Sequence, residues 1–92
     1  MAQTRKPKPP ERRPWHPVSW EKPEIAAVQA LERGDANPEQ QRTALNWIIM
    51  VAAGTYEETY YPDARDSDFA QGRRFVGLQI VKMLKLALSR LT

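Results

Sequence analysis

The residue types able to do chemistry in this 92-residue chain are few. There is one histidine, His16, between Trp15 and Pro17, and there is no cysteine. A Ser-His or Cys-His catalytic pair needs a histidine held rigidly against its nucleophile. His16 instead lies in a proline-rich stretch, and no serine stands in a nucleophile-elbow context. The residues therefore predict no enzyme and no cofactor. One histidine without cysteine also excludes the usual structural zinc site. Asp63, Asp66 and Asp68 cluster before an apolar-periodic segment. An EF-hand spacing is absent, so these acids predict a helix cap and favourable first-turn charge rather than a metal site. With Glu57 and Glu58 they make an acidic stretch that could receive a basic arm from a neighbouring copy.

The basic groups are concentrated at the other end. Residues 1–23 carry six basic residues (Arg5, Lys6, Lys8, Arg12, Arg13, Lys22) against two acids, a net +4, and the rest carries eight against nine, a net −1. The chain's net +3 therefore lies almost wholly in the N-terminal segment. Such a patch attracts phosphates with salt-sensitive affinity, so nucleic acid is one candidate partner. Trp15 and Trp20 point instead to a protein groove that takes aromatic anchors. Arg5, Lys6, Lys8, Arg12, Arg13, Trp15 and Trp20 are the expected partner-binding residues. A second basic pair, Arg73–Arg74, suits either an acidic partner surface or ion pairing within the body.

The elements that position these groups read as all-α. Six of the eight prolines lie in residues 1–23. They remove backbone donors and favour extended conformations, which predicts an extended or polyproline-like arm over 1–22. A helical domain follows over 23–92. Its first helix is expected at about 23–33, with Pro23 in the first turn, a stripe of Ile25, Ala27, Val28 and Leu31, and Gly34 as terminator. The second runs over about 38–53. Asn37 is its N-cap, Pro38 its first residue, and Gln40 completes a capping-box-like pattern. Its apolar second half makes it the central helix.

The third helix is expected at about 67–90, capped by Asp66 or Ser67. Its core stripe would be Phe69, Val76, Ile80, Met83, Ala87 and Leu91, widened by Phe75, Leu78, Leu84 and Leu88. Gly72 and Gly77 each cost about 1 kcal/mol inside a helix, and a close helix crossing is the expected reason for both. Between helices two and three, Tyr56, Tyr60 and Tyr61 predict a packed loop with buried rings. The longest apolar run, Trp47 to Ala53, falls well short of the roughly 20 residues of a membrane span. The basic N-terminus lacks the apolar stretch of a secretory signal. About 69 residues without cysteine make a marginal core, which predicts stabilisation by partners or by further copies of the chain.

The segment F-A-Q-G-R-R-F-V-G-L-Q-I, Phe69 to Ile80, resembles a motif in a family of small tailed-bacteriophage proteins. Gly72, Arg73, Arg74, Val76, Gly77 and Leu78 stand at the matching positions, within a likeness that extends over about residues 46–85. The resemblance implies a phage origin and a place among head and portal components. The expected role is a virion-associated assembly protein, made in the bacterial cytoplasm, that docks on a head, portal or tail protein through its arm. Two alternatives stand beside it. One is a DNA-binding or terminase-associated packaging factor, and the other an early protein that inhibits a host enzyme.

Overall fold

A computed structural model describes residues 13–90. The expected arm residues Arg5, Lys6, Lys8 and Arg12, and the expected stripe residue Leu91, lie outside the described residues. The described chain is all-α, with no strand. Three helices, α1 (Lys22–Arg33), α2 (Pro38–Trp47) and α3 (Ala64–Lys85), are joined by one π-helical turn (Ile48–Ala52) and followed by a short 3₁₀ turn (Leu88–Arg90).

Local chemistry explains each start and stop. Glu21 and Glu24 form a reciprocal capping box at α1, with the Glu21 backbone N–H donating to Glu24 Oε1 at 2.8 Å. Gly34 ends the helix at φ 83°, a left-handed conformation that glycine takes without steric cost. Asn37 caps α2 by accepting from the Gln40 N–H at 2.8 Å, and the Gln40 side chain bonds back to the Asn37 N–H at 3.0 Å.

The second helix does not stay α-helical to residue 53, as its composition suggests. After Trp47 it widens into the π turn, where the Ala53 N–H reaches back to the Ile48 carbonyl at 2.9 Å. Gly54 then turns the chain at φ 57°. The Thr55 N–H and hydroxyl both donate to the Ile49 carbonyl, at 3.1 and 2.7 Å. This double bond closes the widened turn and satisfies a carbonyl that the helix end would otherwise leave orphaned.

The third helix starts three to four residues before its expected cap. Asp63, rather than Asp66 or Ser67, is the N-cap, accepting from the Arg65 N–H at 2.8 Å. Ser67 instead exchanges two hydrogen bonds with the backbone of Tyr61, at 2.8 and 3.0 Å, and so ties the preceding loop to the helix. The helix ends at Lys85, short of residue 90.

The second helix is the hub: α1 packs on α2, and α3 packs on the π turn. The buried apolar residues are Ala27 and Ala30 of α1, Ala44 of α2, Ile49 and Ala53 around the π turn, and Ala70 of α3. Alanines let the helix axes come close but bury little apolar area each. The expected core stripes are displaced accordingly. On α1, Ile25 and Leu31 are exposed. On α3 the inward face is Asp66, Ala70 and Gly77, and Phe69, Phe75, Val76, Met83, Leu84 and Leu88 are exposed. The loop tyrosines differ too, since Tyr56 and Tyr60 stand in solvent and Tyr61 alone is half-buried.

Gly77 is where α3 meets the π turn. A Cβ there would lie 1.8 Å from Thr55 Oγ1 and 3.0 Å from the Ala53 Cβ, so only glycine fits. Gly72 has no such role within the body, because a Cβ there meets nothing within 4 Å. Gly77→Ala should therefore lower unfolding free energy by about 1–3 kcal/mol through overpacking. Gly72→Ala should not lower it, since alanine is the better helix former. Urea unfolding of the two variants checks the contrast; equal losses would remove the assigned role of Gly77.

Candidate functional site

The described part of the arm, residues 13–21, is not loose in this structure. It crosses the body as a strap held at two points. At its start, Trp15 Nε1 donates to Asp66 Oδ1 at 2.9 Å, and the Arg13 guanidinium bonds Asp66 Oδ2. Arg13 also reaches Asp63 at 3.5 Å and lies 5.9 Å from the Trp15 ring centre. At its end, Trp47 Nε1 of α2 donates to the Ser19 carbonyl at 2.9 Å. Between them Pro14 is buried and Val18 half-buried.

Asp66 is the centre of this latch. It sits in the first turn of α3 and is 4% exposed. A buried carboxylate is tolerated only when donors surround it, and both of its oxygens are engaged by the strap. The acidic group before α3 thus receives the chain's own Arg13. His16 completes the turn of the strap: its Nδ1 accepts from the Arg13 N–H at 3.3 Å, and its ring meets Trp15 edge-on at 4.5 Å. Both contacts keep His16 within the turn of the strap. No group of three or more metal-ligating side chains occurs among the described residues. No helix among them is long and apolar enough to cross a membrane.

Arg73 and Arg74 are brought to the turn after α2. Arg73 pairs with Glu57 at 3.0 Å, and its guanidinium lies over Gly54, 2.9 Å from where a Cβ would stand. Gly54 is therefore constrained twice, by its positive φ and by this overlay. Arg74 Nε donates to the Thr55 carbonyl at 2.9 Å. Both arginines thus hold the last carbonyl-rich turn of the second helix, where cations are favoured. Gly77, one turn on, completes this joint with Thr55. Gly72, on another side of α3, is not part of it.

Trp20 ends the strap in an exposed position, 57% accessible. With Ile25 and Val28 of α1 and Trp47 of α2 it lines an open, mostly apolar cavity of about 220 Å³. The strap thus ends in an aromatic groove, while at its start Arg13 is bound to Asp66. Sequence reasoning found the tryptophans but missed Asp66 and Trp47 as their intramolecular holders. A signal existed for Asp66: of the three clustered aspartates it is the one at helical spacing with Ala70 and Gly77, the buried face of α3. No family model matches this sequence, and no curated protein and no solved structure matches it either.

The latch makes a directional prediction. Trp15→Phe removes one charge-assisted hydrogen bond and should cost about 1–2 kcal/mol. The double variant Arg13→Ala, Trp15→Phe strands a buried carboxylate, so it should destabilise more than Asp66→Ala, which removes the charge together with its needs. Chemical unfolding of the three variants measures this. If Asp66→Ala proved the most damaging, Asp66 would not be the dependent partner.

Proposed function

We propose that this chain is a non-enzymatic assembly protein, a small subunit that docks on a larger structural protein through its N-terminal arm. The observation that carries this reading is the balance of buried and exposed apolar groups. Among the described residues the buried hydrophobics are alanines and a single isoleucine, yet Trp15, Trp20, Ile25, Leu31, Phe69, Phe75, Val76 and Met83 all remain exposed. Clusters of exposed large apolar side chains commonly mark surfaces that meet a partner.

The arm is the docking element in this reading. Its described part, residues 13–21, is held on the body through Asp66 and Trp47. The groove of Trp20, Ile25, Val28 and Trp47 beside it is the right chemistry for a partner's apolar side chain. Anchoring aromatics at an interface centre commonly supply most of its binding energy, with charges around them setting orientation. The phage setting, and head, portal or tail proteins as the partner class, rest on the likeness of Phe69 to Ile80 to small tailed-phage proteins.

Two measurements test the proposal. Mass spectrometry of purified particles should find the chain as a virion component, and its absence from particles overturns the virion assignment. Trp20→Ala should reduce its incorporation about tenfold or more, the loss of one aromatic anchor, without unfolding the body. Incorporation that survives Trp20→Ala unchanged would remove the groove from the reading. Tight binding to plain duplex DNA that falls steeply with added salt would instead favour a packaging role through phosphate contacts.

A further inference from the structure

Helix α3 carries two faces. Asp66, Ala70 and Gly77 face the body. Roughly 100° around the helix, by its 3.6-residue repeat, runs a second line: Phe69, Gly72, Val76, Gln79 and Met83. All five are exposed, with Phe69 at 48%, Val76 at 56% and Met83 at 72%. Phe75, 61% exposed, flanks the middle of this line. The spacing of Phe69, Val76 and Met83 is seven residues each time, the repeat of a helix seam that meets another helix. Gly72 lies within the seam. It carries the helix cost of glycine with no intramolecular contact to explain it, since a Cβ there meets nothing within 4 Å.

We infer that this face is where a second copy of the chain docks, α3 against α3, antiparallel, with a two-fold axis near Val76. Three observations favour this occupant. First, the seam is self-complementary about its middle. Running two copies in opposite directions brings Phe69 of one toward Met83 of the other, and sets the Val76 and Phe75 pairs across the axis. An isologous contact of this kind closes on itself and needs no other surface. Second, the charges agree. On the flank beside Phe75, exposed Asp68 lies near the start of the helix and exposed Lys82 near its end. In an antiparallel pair the same flanks meet, so Asp68 of each copy lies toward Lys82 of the other. A parallel pair would put the Asp68 and Lys82 flanks on opposite sides of the seam and forgo this pairing. Third, the bare backbone at Gly72, about one turn from the axis, lets the two helices approach closely, as small residues do at helix contacts.

The size fits as well. Taking full side-chain areas near 150–250 Å² for the large residues, the exposed fractions along the seam amount to on the order of 500 Å² per copy. That is somewhat below the roughly 800 Å² per partner of a standard interface, the size class of weak, reversible contacts. The inference is independent of the virion assignment, because it concerns the purified chain alone.

Sedimentation equilibrium of the full-length chain, from micromolar to sub-millimolar concentration, should show a reversible monomer–dimer equilibrium. Val76→Asp should weaken it about tenfold or more, since one charge per copy would be buried at the axis. Its circular dichroism should match the parent, because Val76 touches solvent and not the core. Gly72→Ala should also weaken dimerisation while leaving monomer stability equal or higher. Direction and register have their own test, helped by the absence of native cysteine. Under mild oxidation an equimolar mixture of Phe69→Cys and Met83→Cys chains should cross-link, and neither variant alone should. Self-cross-linking of Phe69→Cys indicates a parallel pair and overturns the arrangement. A chain that stays monomeric throughout, with this face covered by its own arm or kept for a different protein, overturns the second copy as occupant. So does a dimer that Val76→Asp leaves intact.

Discussion

Thr55 sits under Gly77 with no room for a methyl group between them, and the positions of the other parts follow from that contact. Thr55 is fully buried, and its hydroxyl and N–H both bond the Ile49 carbonyl. Those bonds require the chain to leave the second helix by a widened turn and to reverse at Gly54. The reversal places Glu57 within reach of Arg73, and the Thr55 carbonyl within reach of Arg74. One threonine thus fixes the rotation of α3 about its axis. That rotation decides which of its residues are inside.

The same rotation turns Asp66 inward, which has a consequence for the arm. A carboxylate inside a helix bundle needs donors, and the bundle itself supplies none to it. The strap does so, through Trp15 and Arg13. Segments more than fifty positions apart in sequence are joined there, in a body whose helices otherwise meet in sequential pairs. The latch therefore adds a long-range tie that the helix contacts lack. Electrostatic complementarity between Arg13 and the carboxylates of Asp63 and Asp66 is in this respect satisfied within the chain.

A body built on alanines has little apolar burial in reserve. Small residues bring helices close, but each removes only a small area from water. Meanwhile the larger apolar side chains of α1 and α3, together with Trp20, line the outside. A chain of this size gains most from surfaces covered in an assembly, because folding alone buries a modest fraction of its area. The groove beside Trp20 and the seam on α3 lie on different helices, so the proposed docking and the proposed self-association would not compete for one surface.

The residues by themselves determined the helix starts and stops that depend on local chemistry. Asn37, Pro38 and Gln40 specify a helix start through reciprocal caps, and Gly34 and Gly54 specify stops by tolerating positive φ. The all-α class and the hub position of the second helix follow from periodicity and from its apolar second half. Tertiary structure alone decided what faces inward. A stripe of Phe69, Val76 and Met83 reads as core by hydrophobicity, yet the steric fit of Thr55 against Gly77 turns it outward and turns Asp66, Ala70 and Gly77 in. Nothing local distinguishes Gly72 from Gly77, since the difference lies in an atom supplied by residue 55. Nor could local reasoning choose Asp63 over Asp66 as the cap, because the choice depends on donors brought by Arg13 and Trp15 from the far end of the chain.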